Sequence, residues 1–158
     1  MSPSNNIESW LQFGLQLLAR DGSSPASFLS GRIDDVPDYT SQRWQLAVDM
    51  IYRCIVSGLM GVDTPKYRND HDAFFHVLRT FEPYGAGGGM ALWHGADLYP
   101  TEKLIELLDK YFPKSGPYER NVNPAFIQEL KDIFAQHNVP WSDAPLLPII
   151  SNDHSGSA

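Results

Sequence analysis

The sequence predicts an all-α fold of about five helices in an irregular bundle, closed by a proline-rich, extended C-terminal strap. Three observations predict it. Apolar residues recur at steps of three and four in five separate windows, the repeat of one helical face. Each window is flanked by residues that cap or stop helices. No run alternates apolar and polar over a strand's length, so a substantial sheet is not expected. A chain of 158 residues has the length of one domain; residues 1–150 are assigned to it and 151–158 to a frayed tail.

The first helix is expected from about Asn5, whose side chain can cap while Glu8 completes a capping box. Ile7, Trp10, Leu11, Gly14, Leu15 and Leu18 then share a face, and Asp21-Gly22 ends the run. The second runs from Ser41 as cap to Gly58, with Trp44, Val48, Ile51, Ile55 and Leu59 on one face. The third spans about Asp70 to Phe81, turning Phe74, Val77, Leu78 and Phe81 inward before Pro83 stops it. The fourth opens at Tyr99-Pro100-Thr101, gathers Leu104, Ile105, Leu108, Tyr111 and Phe112, and ends at Pro113. Glu106 and Lys110 on it have the spacing and order of a favourable surface pair. The fifth starts with Asn123 as cap and Pro124 at the first helical position. Its stripe is Phe126, Ile127, Leu130, Ile133 and Phe134, and Asn138 with Pro140 stops it.

Two segments lack periodicity. Asp21 to Thr40 is longer than most loops of a compact domain, which points to a functional or locally ordered segment. Trp141 to Ile150 is apolar and proline-rich, and is expected to lie as a strap over the helices, because leaving it in water exposes a large apolar patch.

Composition narrows the function. Nineteen acids against 12 bases give a formal charge of −7, the wrong sign for general nucleic-acid binding. The excess is uneven: residues 21–40 carry four acids against Arg32 alone. One cysteine, Cys54, allows no intrachain disulfide, which favours a reducing cytoplasm. The start of the chain lacks the basic and apolar segments of a signal peptide, and no apolar run reaches the ~20 residues that span a bilayer, so no membrane association is expected.

Signatures of catalysis are thin. Gly85-Ala86-Gly87-Gly88-Gly89 lacks the Gly-Lys-Ser/Thr ending of a phosphate loop and reads as a hinge or a close helix approach. Of the five histidines (His71, His76, His94, His137 and His154) only His76 has an acid, Asp72, four residues away, and no zinc spacing is present. Cys54 sits in a helical run and reads as a small core residue. Asp34, Asp35 and Asp38 crowd one loop without the apolar surroundings that raise an acid's pKa for catalysis. No catalytic, cofactor-binding or metal-ligating residue is assigned, and the chain is not expected to be an enzyme.

What remains is an interaction surface. Acidic loops beside aromatics suit a basic protein partner: opposite potentials steer the encounter, and Tyr or Trp supplies anchor area. The contact residues expected are Asp34, Asp35, Asp38 and Tyr39, followed by Trp93, His94 and Asp97.

The stretch from Asn123-Pro124-Ala125-Phe126-Ile127 through Trp141-Ser142-Asp143 to Leu146-Leu147-Pro148-Ile149 resembles small immunity proteins of bacterial polymorphic toxin systems. The segment from Trp93-His94-Gly95 to Phe112 fits the same likeness. The group it most resembles is the immunity partners of contact-dependent growth-inhibition toxins, over the C-terminal third to half of the chain. Such proteins share no catalytic signature, so no residue roles carry over. The resemblance implies a cytoplasmic protein that binds and blocks one cognate toxin domain, often a nuclease, with no direct contact to nucleic acid. The rival readings are a small hydrolase using His76 or His94 with nearby acids, and a helical adaptor in a larger assembly.

Overall fold

The computed structural model describes residues 7–84, 88–113, 121–142 and 144–150. The described residues form six helices and a two-stranded sheet: α1 (Ile7–Asp21), a 3-10 turn (Pro25–Phe28), α2 (Ser41–Val56), β1 (Met60–Val62), α3 (His71–Thr80), α4 (Gly88–Gly95), β2 (Leu98–Pro100), α5 (Glu102–Tyr111) and α6 (Pro124–Gln136). The fold is mostly helical but not strictly all-α, and it has one helix more than the periodicity predicts. The expected Asn5 cap, the glycines at 85–87 and the tail at 151–158 lie outside the described residues.

Both surprises have local causes. The strands are three residues each, too short for alternation to register, and pair antiparallel with Gly61 opposite Tyr99. The Tyr99 ring lies where a Cβ on residue 61 would sit, so a larger residue there would have to push that half-exposed ring aside. Helix α4 begins Gly-Gly-Met-Ala-Leu-Trp, with two poor helix formers and no polar face. Gly89 approaches the Glu82 carbonyl so closely that a Cβ would stand 2.0 Å from its oxygen. Gly89 thus permits a tight approach, but between the unforeseen α4 and a residue just past α3, not between two of the predicted helices.

Helix α2 is the centre of the molecule. Trp44, Ala47, Val48, Met50, Ile51, Cys54 and Ile55 are buried along it, and Trp44 Nε1 donates to the Leu78 carbonyl of α3. Its cap is Thr40, one residue before the one expected; the Thr40 hydroxyl accepts from the Arg43 N–H at 3.2 Å. Where α2 ends, the Thr101 hydroxyl and Lys103 ammonium donate to the carbonyls of Gly58 and Ser57, joining α2 to the start of α5. Helix α6 matches its expected form: Asn123 caps it, Pro124 opens it, and its whole predicted stripe is buried.

Two inward assignments are corrected. In α3 the buried residues are Phe74, Phe75 and Leu78, while Phe81 falls past the last turn and is 43% exposed. In α5 Leu104 and Leu108 are buried as expected, but Leu107 is buried in place of the predicted Ile105, which is 39% exposed. Lys110 bonds across to Glu129 of α6 at 2.9 Å, where the sequence predicts a partner in Glu106.

The two aperiodic segments are both bound to α2. The C-terminal strap lies over its polar side. Asp49 Oδ1 accepts from the N–H groups of Leu146 and Leu147, and the Gln45 amide donates to the Leu147 carbonyl and accepts from the Ile149 N–H. Arg53 donates twice to the Pro140 carbonyl, and Arg79 of α3 donates to that of Pro148. Leu146, Leu147 and Ile149 pack on the core beneath. The segment expected to lie over the helices does so, fastened by polar side chains of α2 and by Arg79.

Candidate functional site

The loop between α1 and α2 is built around a buried cation. The Arg43 side chain is fully buried one turn into α2. Its guanidinium donates to the carbonyls of Leu29, Gly31 and Val36 at 3.2, 2.8 and 2.6 Å, and pairs with Asp38 at 3.1 Å. Burial pulls its pKa down and Asp38 pushes it back, and the loop wrapped around it supplies the oxygens that a buried guanidinium needs. The Trp10 indole of α1 adds a donor to the Ser30 carbonyl. At its start the same segment joins the sheet edge, where Ser23 and Leu98 exchange backbone hydrogen bonds.

With its carbonyls turned inward, the loop presents its carboxylates outward. Asp34 is exposed and meets only Arg32, at 3.5 Å on the surface. Asp35 is exposed and forms no ion pair among the described residues. Asp38 splits its role, with one oxygen on Arg43 and the side chain partly in water. Asp35 and Tyr39 both have positive φ, 68° and 62°, which L side chains rarely adopt and which the Arg43 network holds in place.

Tyr39 is the most exposed large apolar residue described, at 73%. Its ring meets that of Tyr84 edge to face, with centroids 5.5 Å apart. The Tyr84 hydroxyl donates to the Thr40 carbonyl at 3.2 Å. Burial pushes the Tyr84 phenol up to about 12, with Arg43 opposing and Asp38 and Glu82 adding to the rise. Because α4 packs across the 3-10 turn, Met90 and His94 come to the same place. Together Ala26, Leu29, Ser30, Tyr39, Pro83, Tyr84, Met90 and His94 line a pocket of about 200 Å³.

The predicted contact residues therefore separate. Asp34, Asp35, Asp38 and Tyr39 share the loop, and His94 joins Tyr39 at the pocket wall. Trp93 is a core residue: its ring is fully buried and its Nε1 donates to the Phe81 carbonyl, so it drops out of the contact set. The reason is the unforeseen helix α4, which turns Trp93 inward as it turns His94 out. Asp97 is exposed, but it belongs to the corner before β2, where its N–H donates to the Thr64 hydroxyl and its carbonyl accepts from the Asp63 N–H. The sequence reading missed Arg43, Tyr84 and Met90. Arg43 had a legible signal, since it lies on the stripe of Ala47, Met50 and Cys54; a cation on an apolar face needs a reason to be there.

Other parts of the molecule show less. A cavity of about 820 Å³ forms an open trough between α5 and α6 lined by both signs of charge, including Lys103, Glu106, Lys110, Glu129 and Asp132. In it Lys110 and Tyr111 both bond Glu129, and these bonds hold that carboxyl below its usual range. Cys54 is fully buried, and burial pushes its thiol up to about 12, so it is an inert core side chain. Among the described residues no three of His, Cys, Asp and Glu are grouped to hold a metal ion, and no helix is long and apolar enough to cross a membrane.

Comparison of the chain with protein-family models, with curated proteins and with solved structures returns no match.

Proposed function

We propose that this protein is an immunity-type inhibitor: it binds a cognate bacterial toxin domain of the nuclease class and neutralises it in the cytoplasm without touching nucleic acid. One observation carries the reading. The loop from Ile33 to Tyr39 is wrapped around the buried Arg43, so that Asp34, Asp35 and Tyr39 are displayed in a fixed arrangement at the surface. A prearranged acidic loop with an aromatic anchor loses little freedom on binding and meets the basic cleft with which a nuclease holds phosphates. Inhibition then needs no chemistry on the inhibitor; the carboxylates occupy the ground where the nucleic-acid backbone would lie. The resemblance of the C-terminal half to immunity proteins agrees with this role.

The test is co-expression with the toxin domain encoded beside this chain. Rescue of growth, with a complex that survives gel filtration, is the expected result. The double charge reversal Asp34→Lys/Asp35→Lys should abolish rescue while the variant still folds by circular dichroism. Lack of rescue by the wild-type chain, or full rescue by the reversed one, overturns the proposal.

A further inference from the structure

The pocket beside the acidic loop has a more specific chemistry than the loop itself. Two tyrosine rings at an angle of 72°, a half-exposed methionine and His94 form its walls, and no described side chain fills it. Such walls offer π-faces and polarizable sulfur to a guest.

The charges around it choose the guest. Arg43 is the nearest cation, and it faces inward, taken up by three carbonyls and Asp38. Asp38 and Glu82, both exposed, directly precede the wall residues Tyr39 and Pro83, and Asp34 and Asp35 lie on the same loop as Asp38. Glu82 makes no ion pair among the described residues. An apolar guest would gain only contact area there, whereas a cation gains contact area, π-faces and carboxylates together. Tyr39 forms one wall from a backbone conformation rare for tyrosine, which the loop maintains through Arg43.

We infer that the pocket lined by Tyr39, Tyr84, Met90 and His94 receives an arginine side chain of the protein partner, its guanidinium against the two tyrosine rings and its charge facing Asp38 and Glu82. This inference rests on the docking-face reading above and names the anchor that the partner inserts. Arginine suits the site better than lysine, since a planar, weakly hydrated guanidinium stacks on aromatic faces and can still bond a carboxylate.

The probe is a pair of capped pentapeptides, Gly-Gly-Arg-Gly-Gly and its norleucine analogue, titrated into the isotope-labelled protein and followed by NMR. The arginine peptide is expected to move the resonances of Tyr39, Tyr84, Met90 and His94 and to bind about fivefold or more tightly than the norleucine peptide. Tyr39→Ala should lose that preference and Tyr39→Phe should keep it, with thermal unfolding showing that both variants are folded. Equal binding of the two peptides, or shifts elsewhere only, overturns the inference, as does Tyr39→Ala retaining the preference. Growth rescue separates the two proposals. Rescue without arginine preference overturns the pocket alone, and arginine preference without rescue overturns the neutralising role alone.

Discussion

Helix α2 secures two irregular segments, the loop before it and the strap that closes the chain, and does so by opposite means. On the loop side a single buried guanidinium gathers carbonyls from Leu29, Gly31 and Val36. On the strap side Gln45, Asp49 and Arg53 provide donors and acceptors in turn, and the chain from Pro140 to Ile149 is bonded along them. A cation at the centre forces the backbone to curl with its oxygens inward, leaving side chains such as Asp34, Asp35 and Tyr39 outward. Partners spread along the helix draw the segment over α2, with bends at 144, 146 and 147, and let its apolar side chains, Leu146, Leu147 and Ile149, pack on the core. The same helix thus makes one segment a display surface and the other a cover.

That contrast can be broken from either side. The largest effect is expected from Arg43→Met, which strips three carbonyls and Asp38 of their partner at once. Loss of one member of a buried ionic network costs about 3–5 kcal/mol, and denaturant unfolding should show it together with loss of the Tyr39–Tyr84 contact. Gln45→Ala removes two bonds to the strap and should cost about 1–3 kcal/mol, with Leu147 and Ile149 exchanging their amide protons faster. Equal costs for the two variants would mean that the loop is not built on its cation.

Asp49→Asn sharpens the strap side through pH. Burial raises the Asp49 pKa, and bonds from Leu147 and Leu146 with the nearby Arg53 only partly oppose it. The folded state therefore holds the Asp49 proton more tightly than the unfolded one. Wild-type stability should fall from this group as pH rises above its unfolded value near 4, until its raised folded value is passed. An asparagine at 49 keeps the acceptor and does not titrate. The stability difference should therefore move in favour of Asp49→Asn as unfolding is measured from pH 4 towards neutrality. The smallest effect on stability belongs to Asp34→Asn/Asp35→Asn, within about 0.5 kcal/mol, since neither carboxylate holds the loop together. The same pair should weaken the salt dependence of toxin binding.

Sequence reading was strongest where one physical cause acts alone. Helix α6 has a cap, a proline and a clean apolar stripe, and all were legible. Helix α4 was hidden because glycines open it and its single turn of contrast, Trp93 in and His94 out, depends on the Glu82 carbonyl and the 3-10 turn it packs on. Gln45, Asp49 and Arg53 stand four apart on α2, and nothing local shows what they hold, because their partners lie almost a hundred residues later: Leu146 is 97 positions beyond Asp49. Of the candidate site, the acids and Tyr39 were visible as exposed loop residues. The tyrosine that completes the pocket was not, because Tyr84 and Tyr39 meet only through the tertiary fold.

The glutamine that grips the strap has a counterpart on α1. Gln12 donates to the Asn121 carbonyl and accepts from the Asn123 N–H, each at 2.9 Å, spanning one residue of extended chain just as Gln45 does. Its partners lie 109 and 111 positions downstream. During synthesis, α1 leaves the ribosome long before the segment that satisfies it exists, and domains are completed from the N-terminal end. Gln12 must wait for these partners, so the nascent protein carries an unfinished helix α1 until Asn123 is made. A codon change that slows translation of residues 113–123 would lengthen that exposure without altering a single contact of the finished molecule.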